Sequence, residues 1–202
     1  MTLNAIALNC TLKSGGEDSS TDKILKELLA ELKKHGVAGE IIRIADHDVK
    51  PGVTSDEGPG DAWPAIREKI LDAQILVIGT PIWLGQPSSV CKRALERMDA
   101  FLDEKDDQGR MVSYGRVALV AVVGNEDGAH HVSAEAFQAL NDVGFTIPAN
   151  GMTYWVGEAM GSTDYKDLKN PRDVVTEATA MAVRNAVHLA QLLAKSAYPG
   201  KK

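Results

Sequence analysis

Cysteine is nearly missing from this sequence. Cys10 and Cys91 stand alone, far apart and in no paired motif. That spacing excludes a zinc ribbon and a CxxC redox pair, and two buried free thiols in a reducing compartment are expected. Long apolar runs are missing too. None approaches the roughly 20 residues of a membrane-spanning helix, and Met1 to Ile6 lacks the basic start and apolar middle of a signal peptide. A cytoplasmic protein with no membrane insertion is expected. Positive charge is in short supply, with 22 Lys and Arg against 28 Asp and Glu and a net charge of −6. This argues against duplex nucleic acid and anionic lipid as partners. Basic residues are scattered, and the pairs Lys33-Lys34 and Lys201-Lys202 read as a helix end and a tail.

Two nucleotide motifs are also absent. No GxxxxGK[ST] run occurs, and Gly58-Pro59-Gly60 continues into Asp61-Ala62-Trp63 without a strand before it. A cysteine phosphatase would need Arg six positions after Cys10, where this chain has Gly16. No internal repeat, low-complexity segment or linker divides the chain, so one domain over residues 1–202 is expected. At 202 residues, a chain can bury roughly 70% of its unfolded surface, enough for a core without staples.

What is present is alternation. Apolar runs at Ala5–Asn9, Glu40–Ile44, Ile75–Ile78, Val117–Val123 and Met152–Val156 read as five strands. Helical-period segments lie between and after them. Ile24, Leu25, Leu28, Leu29 and Leu32 share one face of a helix ending near His35-Gly36. Asp61 is placed to cap a helix with Ala62, Ile66 and Ile70 inside; Val90, Ala94, Met98 and Phe101 mark the next, with Leu95 and Leu102 widening its face. A fourth helix runs from about Val132 to Asn141. Asn170-Pro171 reads as the cap and first turn of the last, which buries Val175, Ala178, Ala182, Ala186, Leu189 and Leu193. Strict strand–helix alternation predicts βαβ units and a parallel sheet with helices on both faces. The stretches 46–60 and 157–169 read as loops that serve as lids, partner contacts or plain surface.

Three strand-end loops carry the candidate chemistry. The first, Cys10 to Thr21, holds Thr11, Lys13, Ser14, Ser19, Ser20 and Thr21. It reads either as a phosphate cradle at a helix start or as a flexible polar turn; its position after the first strand favours the cradle. In the second, Gly79 and Pro81 are expected to stop the strand, Trp83 to lie against a flat ring, and Ser88 or Ser89 to cap the following helix. The third is Gly124-Asn125-Glu126-Asp127-Gly128-Ala129-His130-His131. Adjacent histidines rarely point the same way and no third ligand has a suitable spacing, so no metal is expected. His130 reads as an exposed imidazole at a helix start or as a group at the edge of a bound ring. Cys91 and Trp155 are expected to be packing residues, Trp155 in the core or an interface.

Ligand loops after strands one, three and four are the arrangement of flavodoxin-like folds, with strand order 2-1-3-4-5. The run Gly79-Thr80-Pro81-Ile82-Trp83-Leu84-Gly85-Gln86-Pro87-Ser88-Ser89 closely resembles the GTPIYxGxPSS signature of NADPH-dependent FMN reductases and related flavodoxin-like flavoproteins. The resemblance extends from Leu3 to about Leu193. It implies a three-layer α/β fold with a five-stranded parallel sheet, FMN as cofactor and NADPH or NADH as reductant. It further implies that Thr11, Lys13, Ser19, Ser20 and Thr21 hold the FMN phosphate. Pro81, Ile82, Trp83, Leu84 and Gly85 would line one side of the ring. Gly124, Asn125, Asp127 and Gly128 would meet its pyrimidine edge through backbone amides, with His130 beside them.

The cofactor carries the hydride chemistry in such a protein, so no catalytic side chain is named. The implied partner is a small-molecule electron acceptor, and a homodimer or higher homo-oligomer is expected. Members of the iron–sulfur branch carry a compact cysteine cluster, which this chain lacks. Fold alone does not settle function. A flavodoxin-like electron carrier without its own substrate, and a non-enzymatic flavin-binding regulator, are the alternatives.

Overall fold

The computed structural model describes residues 3–170 and 172–201. Met1 and Thr2 of the N-terminal reading, Pro171 of the last helix start and Lys202 of the basic tail lie outside the described residues. In chain order the elements are β1 (Asn4–Asn9), α1 (Ser20–Lys34), β2 (Ala38–Arg43), α2 (Trp63–Asp72), β3 (Ile75–Trp83), β4 (Gln86–Pro87), α3 (Ser89–Arg97), β5 (Val117–Gly124), α4 (Ala129–Asp142), β6 (Met152–Val156) and α5 (Asp173–Lys195). The sheet order is β2-β1-β3-β5-β6, and all of these neighbours pair in parallel. Without the two-residue β4, which pairs antiparallel with β3, this is the 2-1-3-4-5 order of the flavodoxin-like fold.

Side chains leave a strand on alternate faces, and β3 shows the consequence. Leu76 and Ile78 pack with Ile66 and Ile70 of α2, Ala94 of α3 and Val132 of α4. Ile75 and Val77 pack on the opposite face with Leu25 and Leu28 of α1 and Val183 and Ala186 of α5. Both faces are therefore covered, and the central strands read as continuous apolar runs because neither face meets water. Full burial of each such Leu or Ile contributes about 1.5–3 kcal/mol.

Several predicted boundaries shift for physical reasons. Gly79 does not stop the third strand. It pairs with Asn9 on one side and Ala121 on the other, and a Cβ there would lie 2.6 Å from Leu25 Cδ1. Gly79 is the point where α1 packs directly on the sheet. Pro81 is likewise inside the strand, opposite Val123. β1 ends opposite Gly79, so Pro81 lies beyond β1's reach, where a missing N–H costs little.

The last helix starts at Asp173 with Arg172 at its N-cap, later than the predicted Asn170. Its buried stripe runs through Val175, Thr179, Ala182, Val183, Ala186, Val187 and Ala190, rotated slightly from the predicted face. Ile44 has left the second strand for a single 3₁₀ turn. Ala62, not Asp61, is the N-cap of α2.

Asp61 has a larger role. Its carboxylate lies 2.7 Å from Arg97 Nη2, and both side chains are fully buried. Arg97 also donates to Lys50 O and Thr54 O, so one guanidinium holds the 46–61 segment to α3. Burial by itself would push the Asp61 pKa up. The Arg97 bond and the N–H groups of Glu57, Trp63 and Lys50 more than offset this and hold it well below the usual range. Because the folded pKa lies below the unfolded one, the pair's contribution is whole above about pH 4. It drains away as pH falls further, through the folded value. Removing one partner of a buried pair typically costs about 3–5 kcal/mol. R97M should lower the urea unfolding free energy by about that much, with a flatter acid limb than the parent protein.

Ser88 makes a second internal tie. Its hydroxyl donates to Cys10 O at 2.6 Å and accepts the Cys91 N–H at 3.0 Å as the N-cap of α3. It thereby fastens the loop after β1 to the helix after β3. S88A removes both bonds and should cost about 1–2 kcal/mol in urea denaturation. Proteolysis within Leu12–Glu17 should accelerate, since that loop loses its anchor.

Candidate functional site

The carboxyl ends of β1, β3 and β5 lie side by side at the centre of the sheet. The loops leaving them border a cleft of about 600 Å³. At one end, Thr11 N–H donates to Asn9 Oδ1 and Thr11 Oγ1 accepts the Lys13 N–H. The outer loop is pinned away from the cleft. Gly15 N–H reaches Asp46 Oδ1, Arg43 Nη1 reaches Glu17 O, and Lys13 Nζ reaches Asp18 O. Glu17 and Asp18 are exposed to solvent and do not line the cleft. Ser19 caps α1 by accepting the Asp22 N–H. The N–H groups of Ser20 and Thr21, the first residues of α1, donate to no protein group among the described residues. Together with Ser19 and Lys13 they line this end, as an anion site at a helix start requires.

The middle wall is the end of β3. Trp83 is not in an open loop but on the first arm of a hairpin, paired with Gln86. The turn between them is Leu84-Gly85, with φ of 54° and 73°. A two-residue hairpin of this kind needs positive φ at both positions, natural for Gly85 and costly for Leu84. Glu126 Oε1 accepts the Leu84 N–H at 2.9 Å and holds it there. Pro81, Ile82, Trp83 and Leu84 line the cleft. Trp83 is half exposed, and Leu84 is 92% exposed.

The far end is the loop after β5. Gly124 and Asn125 line it, and the N–H groups of Asn125, Glu126 and Asp127 donate to no protein group among the described residues. The remaining wall comes from the segment after β6, which the sequence left open between lid, partner contact and plain surface. Met160 N–H donates to Asn125 O. Asn125 Nδ2 donates to Asp164 Oδ1 at 3.1 Å and to Gly161 O at 3.4 Å. Farther on, Lys166 N–H donates to Ser20 Oγ, and Lys23 Nζ reaches the carbonyls of Tyr165 and Leu168. The segment is a strap that joins the two ends of the cleft.

Of the predicted site residues, Thr11, Lys13, Ser19, Ser20, Thr21, Pro81, Ile82, Trp83, Leu84, Gly124 and Asn125 line this one cleft. Gly85, Asp127, Gly128 and His130 are not among its lining residues. His130 is exposed and sits edge-to-face on Tyr154, with ring centroids 5.2 Å apart. Trp155, expected in the core or an interface, is buried but also lines the cleft.

Glu126 lines the cleft from within the third candidate loop, while Met160, Asp164 and Tyr165 are lining residues without a sequence signal, because a fold-back contact leaves no periodicity. The Tyr165 hydroxyl donates to Glu27, and burial, then that carboxylate, push its pKa up, so it stays neutral. Cys10 and Cys91 are buried in one apolar cluster. The neighbouring Cys91 side chain, then burial, push the Cys10 thiol up, which removes it as a nucleophile.

Comparison with known proteins agrees with this geometry. The family described as NADPH-dependent FMN reductase matches residues 3–161. The 8-demethyl-8-aminoriboflavin-5′-phosphate synthase of Streptomyces davaonensis is 32% identical over 208 residues, covering 98% of this chain and 81% of that protein. The crystal structure of RosB with bound intermediate 8-demethyl-8-formylriboflavin-5′-phosphate aligns with a TM-score of 0.89 and 32% identity, over 97% of this chain and 82% of that one. A protein of Mycobacterium bovis named divalent metal cation transporter MntH is 36% identical over 198 residues. That match covers 95% of this chain, which spans 29% of the relative's length. Among the described residues no helix is long and apolar enough to cross a membrane. Strand order, cleft and family match converge: this chain belongs to the NADPH-dependent FMN reductase family.

Proposed function

We infer that the chain acts as one FMN-binding domain, and that it passes hydride from NADPH or NADH through the flavin to a small acceptor such as a quinone or free flavin. One observation carries this reading: N–H groups without a partner among the described residues stand at both ends of a single cleft, with a half-exposed indole between them. Such a cleft fits a flat ring with a phosphate tail. Ser20 and Thr21 N–H, with Thr11, Ser19 and Lys13, would hold the phosphate. Pro81, Ile82, Trp83 and Leu84 would cover one side of the ring, with Gly85 shaping the turn behind them. Asn125 and Glu126 would present backbone amides to the pyrimidine edge beside Gly124, with Asp127, Gly128 and His130 outside the lining.

FMN, when bound, supplies the hydride-accepting ring. The chain's own contribution is to place fixed N–H dipoles where negative charge develops, which costs no reorganisation at the moment of transfer. No side chain is required as acid or base. The exposed apolar rim of Trp83, Leu84 and Met160 supports a homodimer built around the cleft mouth.

The flavin-modifying name of the S. davaonensis relative favours a second reading, in which a flavin phosphate is the substrate. Mass spectrometry of the flavin recovered after turnover separates the two. Unchanged FMN supports the reductase, and an altered dimethylbenzene ring supports modification.

The purified chain should bind FMN and bleach it on anaerobic addition of NADPH or NADH, then recover colour with a quinone. W83A should weaken FMN binding about tenfold, the scale of an aromatic stacking contact. A chain that binds FMN but oxidises neither nucleotide with any acceptor overturns the reductase reading in favour of an electron carrier. A chain that takes up no FMN overturns both.

A further inference from the structure

Asp164 is one of the two carboxylates among the described residues that line the cleft. It lies on the strap, beyond the residues 3–161 that the family match covers, and it lines the cleft with a side chain that is 46% exposed. Its two oxygens are used unequally. Oδ1 accepts from Asn125 Nδ2 at 3.1 Å. Oδ2 has Lys166 Nζ as its cationic neighbour at 3.8 Å, beyond hydrogen-bond distance. An ionised carboxylate offers about four acceptor sites, so most of the acceptor capacity of this half-exposed lining residue is left open.

Its position along the cleft is set from both sides. The Asn125 contact places Asp164 beside the loop whose free amides face the ring end. Two residues on, Lys166 N–H is bonded to Ser20 Oγ at the start of α1, the phosphate end. Two residues of chain reach at most about 7 Å, so Asp164 stands between the ends. The other carboxylate lining the cleft, Glu126, is committed through Oε1 to the Leu84 N–H at the ring lip.

On the FMN reading above, the part of the ligand between ring and phosphate is a polyol. We propose that Asp164 is a polyol-binding residue, accepting hydroxyl hydrogen bonds from the sugar-alcohol chain of the flavin, while its other oxygen keeps the Asn125 side chain in place. Hydroxyl donors are what a half-exposed carboxylate with open lone pairs takes best, and bonds to a charged acceptor are the stronger kind. Lys166 at 3.8 Å offsets part of the carboxylate charge near the phosphate end.

The test is a ligand series on the intact chain: dissociation constants for FMN, riboflavin and lumiflavin, the last having the ring without the polyol. D164A should weaken FMN and riboflavin by about tenfold or more each and change lumiflavin by less than about twofold. D164N keeps the shape and an acceptor oxygen, and should show the same pattern at smaller size if the alanine variant does not fold. Equal weakening of all three ligands overturns the proposal, because Asp164 would then act only through Asn125 and the fold. No change for any ligand also overturns it, while leaving the FMN reading standing. A parent protein that binds none of the three overturns the FMN reading itself.

Discussion

The whole site depends on where β1 stops relative to β3. β1 ends at Asn9, opposite Gly79, while β3 continues to Trp83 with only β5 beside its parallel stretch. The loop after β1 is thereby dropped below the extended tip of β3, and the space between them becomes the cleft. Gly79 makes this offset workable. With no Cβ, it lets Leu25 of α1 sit on the strand, which brings the N-terminus of α1 up to the edge of the sheet. Ligands in open α/β sheets bind at this switch in strand order because neighbouring loops depart in opposite directions there.

Strain is placed at the mouth and held by the loop after β5. Leu84 and Met160 both have positive φ, at 54° and 62°, a conformation that costs a non-glycine residue about 1–2 kcal/mol. Both are almost fully exposed apolar side chains on the rim of the same cleft. Each has its N–H bonded to the loop after β5, Leu84 to Glu126 Oε1 and Met160 to Asn125 O. Such outliers persist only where the surroundings over-determine them, and they concentrate at functional sites. A single short loop therefore orients both lips while leaving its own amides free.

The acidic balance of the chain and an anion-holding cleft are compatible because charge is handled locally. Glu17 and Asp18 face solvent, their carbonyls tied back by Arg43 and Lys13. Beside Thr11, Lys13 and Ser19, the donors inside include backbone N–H groups at a helix start and in a turn, which carry partial positive charge at no cost in net charge. Asp61, the one carboxylate of the 46–61 segment held against α3 by a buried guanidinium, sits with Arg97 away from the cleft lining.

The residues themselves determined the parallel sheet and the three ligand loops; the strand order came only with the likeness of that loop arrangement to flavodoxin-like folds. Apolar runs such as Val117 to Val123 are legible because burial on both faces removes all alternation, and a cap at Ser88 or Ser89 is legible because helix starts need side-chain acceptors. The continuation of β3 through Pro81, the hairpin that exposes Trp83, and the strap from Met160 to Lys166 were settled only by the tertiary structure. Pro81 reads locally as a strand breaker until the end of β1 makes that position tolerant. Asp164 lies in a stretch that reads equally as lid, partner contact or surface, and Glu126 has no role of its own in its loop, until contacts with Asn125 and Leu84 give both a place at the cleft. Periodicity records which face of an element is buried; it holds no record of which distant loop returns to cover its end.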